Sequence, residues 1–122
     1  MDIAESDVKY VDVDDALNRV GGNMSLYIKL LGRFAEGKYV EAIEEAIGNG
    51  DMEEAARQAH ALKGVSANLS LNIVRALSVE LEEKIHKGAE YADHLAKMKQ
   101  AHDATIKKIA EITGCGPQEA SN

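Results

Sequence analysis

The chain has 122 residues, of which 45% are hydrophobic and 29% are charged, with one proline and one cysteine. This balance is typical of a single globular domain, and the formal net charge of −7 opposes binding to nucleic acid or to anionic lipid. One cysteine excludes an intramolecular disulfide and a zinc site made of several cysteines. No apolar run approaches the ~20 residues of a membrane span, and the acidic first residues are unlike a signal peptide, so we expect a cytoplasmic protein without a membrane partner.

Two helices are predicted in the first part of the chain from apolar periodicity and the polar or glycine breaks between segments. The first covers 13–20, with Asp12 as its N-cap, and a pair of glycines ends it. The second covers 23–48 and begins with a capping asparagine. Gly32 and Gly37 lie inside it, each at a cost of about 1 kcal/mol relative to alanine, so the pattern allows a kink or a break near them.

Three more helices are predicted in the second part of the chain. The third covers 51–69 and has the clearest start signal, because its first aspartate is followed three residues later by Glu54, as in a capping box. Ser70 is predicted to cap a fourth helix over 70–87, and a fifth is predicted over about 89–112.

Four long amphipathic segments with short connections predict an all-α fold. We expect an antiparallel up-down-up-down four-helix bundle, with the short N-terminal helix packed at one end. The bundle is assigned to residues 1–113 and a flexible C-terminal tail to 114–122.

The most specific run in the sequence lies inside the third helix, at Gln-Ala-His-Ala-Leu-Lys-Gly-Val-Ser-Ala-Asn-Leu, residues 58–69. His60 follows a residue of the apolar seam and should emerge at the edge of the packed face. Lys63 and Gly64 come three and four residues later, which places them beside His60 on one surface. A mid-helix glycine costs about 1 kcal/mol and leaves room for something bulky to approach the imidazole, the alternative being close helix packing.

An accessible histidine can act as a base, a metal ligand or a nucleophile. Lys63 argues against a metal because a cation repels it, whereas the same charge suits a group that becomes anionic, such as a phosphorylated imidazole. The sequence has no glycine-rich phosphate loop ending in lysine, so we expect no ATP-binding kinase site.

The run over 59–69 resembles the signature of histidine-containing phosphotransfer (HPt) domains of bacterial phosphorelays. Residues 13–23 resemble the N-terminal Ala-Leu-x-Arg-x-Gly-Gly segment of that family, residues 26–34 resemble its next helix, and the whole resemblance covers about 10–86. The departure is Ser70, where the family often has glycine.

The resemblance implies a phosphocarrier, and hence a phosphoprotein, rather than a self-sufficient enzyme. His60 is expected to accept a phosphoryl group from the phospho-aspartate of one receiver domain and to pass it to the aspartate of another. Lys63 is expected to neutralise the phosphate, and Gly64 to give the receiver room. Partners are therefore receiver domains of response regulators or hybrid histidine kinases. The chain should need no cofactor of its own, because Mg²⁺ in this family is held by the receiver.

Glu82 occupies the place where many family members have a Gln or Glu that hydrogen-bonds the imidazole. Such a bond to Nδ1–H would fix the tautomer and leave Nε2 as the nucleophile. The alternative is a solvated surface carboxylate, and Glu80 and Glu83 are nearby competitors for the role.

A second function class is an HPt-like interaction module without phosphotransfer activity, or the dimerisation bundle of a histidine kinase. The kinase bundle requires an acidic residue after the histidine and a proline soon after it. Ala61 and the absence of proline before Pro117 contradict that pattern. We expect a monomer, and Met1 with the terminal segment favours a free-standing protein, while the sequence names neither its kinase nor its regulator.

The remaining histidines and the cysteine have simpler interpretations. His102 continues the seam of the fifth helix and is predicted to be a partly buried packing residue. His86 forms one Glu-x-x-His pair with Glu83, whereas a di-iron bundle needs two such pairs. His94 is predicted to be exposed to solvent, and Cys115 lies in the predicted tail without an activating neighbour.

Overall fold

The computed structural model describes residues 10–114, in which six helices begin and end and no strand occurs. The all-α class is therefore confirmed. The helices are α1 (Val13–Arg19), α2 (Met24–Glu36), α3 (Tyr39–Gly48), α4 (Met52–Asn68), α5 (Asn72–Lys87) and α6 (Ala92–Thr113). Of the predicted tail, Gly114 ends α6 in the left-handed conformation, and the other residues lie outside the described range. None of the helices in this range combines the length and the apolar character needed to cross a bilayer.

The helices pack around one hydrophobic core. Helix α4 lies against α3 and α5, while α6 contacts α5, α2 and α3, and α1 packs on α2. Burial of apolar side chains along one stripe of each helix supplies most of the stability of such an assembly. The largest fully buried hydrophobic side chains are Tyr27, Phe34, Leu31, Ile43, Leu62, Leu71, Leu81, Met98, Ile109 and Val74.

The predicted second helix is two helices, with the break at Gly37. This residue is the C-cap of α2 and has an extended backbone, with φ −73° and ψ 152°. The Tyr39 ring occupies the space that a Cβ on Gly37 would need, and it stacks on Phe34 with ring centroids 5.3 Å apart. A side chain at Gly37 would therefore displace the Tyr39 ring from its place on Phe34. Gly32 stays inside α2 without a break.

The turn between α4 and α5 corrects the prediction for Ser70. The N-cap of α5 is Leu71, without a side-chain cap bond, and Ser70 has a left-handed backbone with φ +58°. Its hydroxyl donates to Oδ2 of Asp15 at 2.6 Å, which ties the turn to α1, and the hydroxyl of Tyr27 donates to the carbonyl of Leu69 at 2.9 Å. The left-handed conformation gives a physical reason for glycine at this position, because glycine adopts it without a steric cost.

Side-chain caps fix the starts of α1, α2 and α4 as predicted. Asp12 accepts from the N–H of Asp15 at 3.2 Å, Asn23 from that of Leu26 at 3.0 Å, and Asp51 from that of Glu54 at 3.0 Å. Helix α6 begins at Ala92, three residues later than predicted. The start of α4 is thus set locally, and this fixes the register of the residues one and two turns further on.

Candidate functional site

His60 lies on α4 at the edge of the face that packs against the other helices. Ala59 and Leu62 on the same helix are fully buried, whereas the side chain of His60 is 63% exposed. Its Nδ1 atom lies 3.1 Å from Oε2 and 3.3 Å from Oε1 of Glu82 on α5. If Nδ1 carries the hydrogen and donates it to this carboxylate, the lone pair is left on Nε2. The imidazole is therefore both accessible and oriented.

Glu82 belongs to a cluster that also contains His60, Lys63 and His86. It is the most buried of the four residues, with 17% of its side chain exposed. Its carboxylate also lies 3.6 Å from Nζ of Lys63 and 3.5 Å from Nε2 of His86. Partial burial acts to raise the pKa of Glu82, but the hydrogen bond from His60 and the charge of Lys63 outweigh it and lower the pKa below its ordinary value. Glu82 is accordingly an anion at neutral pH.

The two competing carboxylates of α5 contact other residues. Oε1 of Glu80 lies 3.0 Å from Nε2 of His94, and Oε2 of Glu83 lies 3.2 Å from Nζ of Lys87. Glu82 is thus the one of the three glutamates whose contact with His60 the structure records. Glu82 reaches His60 because it lies on the face of α5 that packs against α4.

Gly64 leaves an open surface one turn after His60. A Cβ placed on Gly64 would meet no atom within 4 Å among the residues that the structure describes. Close packing against another helix in this part of the chain therefore does not explain the glycine. Lys63 lies between the two residues in sequence and is one-third exposed, with its ammonium group on the Glu82 carboxylate.

The remaining histidines divide into one packing residue and two carboxylate partners. His102 packs against Phe34 with ring centroids 5.5 Å apart, and burial lowers its pKa, so its predicted packing role is confirmed. The prediction that His94 is exposed is wrong, because its side chain is only 21% exposed and contacts Glu80.

Within residues 10–114 no group of three or more His, Cys, Asp or Glu side chains could hold a metal ion. Cys115 lies outside this range.

His86 is the member of the cluster that the sequence did not point to. The Glu83-x-x-His86 spacing drew attention to a metal motif, whereas the contact is with Glu82, one full turn before His86. Glutamate followed by a basic residue four positions later is a favourable pair on a helix, so the i,i+4 spacing was the available signal.

The fold and the site define a class of protein: a helical bundle that presents an exposed histidine, oriented by a carboxylate and flanked by a lysine and an open glycine. Residues 36–109, more than half of the chain, match the Hpt domain family. The chain belongs to this family, whose domains serve histidine phosphotransfer in phosphorelays and interact with receiver domains. Searches of curated proteins and of solved structures give no match.

Proposed function

We propose that this protein is a phosphocarrier of a two-component phosphorelay, with His60 as the residue that carries the phosphoryl group. The observation that supports the proposal most directly is the contact of Nδ1 of His60 with Glu82, at 3.1 Å, on an imidazole that is 63% exposed. A histidine with Nδ1 engaged and the rest of its ring accessible has the arrangement that a nucleophile attacking through Nε2 requires. Membership of the Hpt domain family is in keeping with this chemistry.

The transfer step moves one electron pair at each end of the phosphoryl group. The Nε2 lone pair attacks the phosphorus of the receiver's acyl phosphate, and the bond from phosphorus to the aspartate oxygen breaks, so that the aspartate leaves as a carboxylate. The hydrogen on Nδ1 stays in its bond to Glu82, which stabilises the positive charge that develops on the ring. Attack by the carboxylate of a second receiver on phospho-His60 reverses these events and returns a neutral imidazole.

The charge of Lys63 and the open surface at Gly64 support the roles proposed for these two residues. Lys63 follows His60 by three residues on α4, and its ammonium group contacts Glu82, the same carboxylate that contacts His60. In this proposal it turns to a phosphoryl group on His60 and neutralises the transferring oxygens. Gly64 leaves the approach free of side-chain atoms. Phosphoryl transfer depends mainly on positioning and charge neutralisation, and Mg²⁺ for this purpose is supplied by the partner receiver.

The partner is a receiver domain that docks around His60, and the protein acts as a cytoplasmic monomer. Three large hydrophobic side chains are exposed in the described range, namely Met24, Leu26 and Val79. Obligate homodimer interfaces are the more hydrophobic class, so this small number of exposed apolar side chains favours a monomer. The net charge of −7 disfavours nucleic acid as a partner.

The long helices are proposed to follow the antiparallel up-down-up-down order, in which α2 and α3 together form one arm.

The test is incubation with a receiver domain carrying radioactive phosphate on its aspartate. The wild-type protein should acquire label that is lost in acid and kept in base, as expected of a phosphoramidate. His60→Gln should acquire none, while His94→Gln, a matched histidine variant away from the cluster, should be labelled like the wild type. Equal labelling of wild type and His60→Gln, or no labelling by any receiver tried, would contradict the proposal. Binding of receivers without labelling would favour an interaction module instead.

A further inference from the structure

The carboxylate of Glu82 is shared by three nitrogen-bearing side chains, and they divide between its two oxygens. Nζ of Lys63 lies 3.6 Å from Oε1, and Nε2 of His86 lies 3.5 Å from Oε2, the oxygen nearest to Nδ1 of His60. His86 comes one turn after Glu82 on α5, and its side chain is 64% exposed. An imidazole this exposed contributes little to the core, so burial does not explain why His86 lies against Glu82.

Phosphorylation of His60 changes the charges around the Glu82 carboxylate. A phosphoryl group on the ring brings negative charge that attracts the ammonium group of Lys63, and Lys63 then leaves the Oε1 side of Glu82. The carboxylate loses the ammonium group of Lys63 at the moment when it must hold Nδ1–H of a more positive ring. Apart from the contact with His60 itself, the recorded contact of Glu82 that this rearrangement leaves in place is the one with His86.

We propose that His86 is a positioning residue, which holds the Glu82 carboxylate against Nδ1 of His60 when Lys63 turns to the phosphoryl group. The inference rests on the proposed function and extends it to a residue outside the histidine helix. No bond to His86 forms or breaks, since its effect passes through Glu82. The neighbouring cation Lys87 does not have this role, because its ammonium group lies 3.2 Å from Glu83.

The test compares His86→Ala with His86→Lys and with Lys87→Ala, the matched change in the next i,i+4 pair of the same helix. The ¹⁵N NMR shifts of the His60 ring, measured without phosphate, report which nitrogen carries the hydrogen. His86→Ala should lower the ratio of the Nδ1–H form to the Nε2–H form about twofold to fivefold, the size expected of one exposed pair. His86→Lys should restore the ratio, because glutamate followed by lysine four residues later is a favourable pair. Lys87→Ala should leave the ratio unchanged.

The second measurement is the rate of transfer from one phosphorylated receiver at saturating concentration. His86→Ala should slow it by a similar factor with little change in the receiver's Kd, and His86→Lys should recover it. Unchanged ring shifts and an unchanged rate in His86→Ala, an equal effect of Lys87→Ala, or an effect on Kd alone would overturn the inference. If no receiver labels the wild type, the proposed function fails, whereas the ring shifts still decide whether His86 holds Glu82 in place.

Discussion

Nδ1 of His60 lies 3.1 Å from Oε2 of Glu82, although the two residues are 22 positions apart and belong to different helices. The pair exists because α4 and α5 pack closely, so that the edge of one helix meets the edge of the other. An ionised carboxylate at this distance both selects the tautomer of the imidazole and stabilises the charge that develops on it.

Replacement of Glu82 should affect transfer according to whether the new side chain can still accept a hydrogen bond. Glu82→Ala should slow phosphotransfer from a given receiver about tenfold, the lower end of the range known for carboxylates that orient metal-bound histidines. Glu82→Gln should retain most of the rate, because its amide oxygen can accept from Nδ1–H. Single-turnover transfer measured by loss of label from the receiver checks both values. Equal rates for the alanine and glutamine variants would show that the hydrogen bond does not matter.

The lowered pKa of Glu82 predicts how stability should change in acid. A carboxyl group whose pKa is lower in the folded than in the unfolded state stabilises the fold above its ordinary pKa of 4.5, and this contribution is lost as the pH falls through the folded value. Between pH 6 and pH 3, the wild type should therefore lose more free energy of unfolding than Glu82→Gln, in which this group no longer titrates. Urea unfolding at both pH values provides the comparison. A larger loss in the glutamine variant would reverse the sign and refute the prediction.

Substitution of Gly64 should separate stability from function. A Cβ at this position meets no described atom within 4 Å, so Gly64→Ala should raise the free energy of unfolding, by up to about 1 kcal/mol from helix propensity. Gly64→Leu should also fold, with an unchanged helical circular dichroism signal, but should slow transfer by obstructing the approach to His60. Marked unfolding of either variant would mean that the glycine is required for packing after all.

Ser70 should respond differently to alanine and to glycine. Ser70→Ala loses the hydrogen bond to Asp15 while it keeps the left-handed backbone, so it should be destabilised by about 1 kcal/mol. Ser70→Gly loses the same bond but relieves a backbone cost on the order of 1 kcal/mol, and should remain close to the wild type. The bond from Ser70 is the main cause of the lowered pKa of Asp15, so the pKa of Asp15 should rise in both variants. Urea unfolding and NMR titration of Asp15 give the two readouts, and equal stability of the two variants would exclude a backbone contribution.

Local features of the chain are the part that the sequence predicts well. Helix α4 and its cap follow from Asp51, Glu54 and an apolar pattern with helical period, all of which act within a few residues. With 3.6 residues per turn, the placement of His60, Lys63 and Gly64 on one surface follows directly. The all-α class follows in the same way, from periodicity summed over the chain.

Contacts between residues on different helices are set by the tertiary structure, because they depend on which helix surfaces pack together. Glu80, Glu82 and Glu83 are alike in sequence, and only the packing of α5 on α4 brings one of them to His60. The bond from Ser70 to Asp15 and the contact of His94 with Glu80 likewise join residues on different elements of the fold. The side chains that one helix presents together thus follow from the sequence alone, because helical geometry is local. Their partners on other helices were set by burial and side-chain reach across the core, which depend on the whole fold.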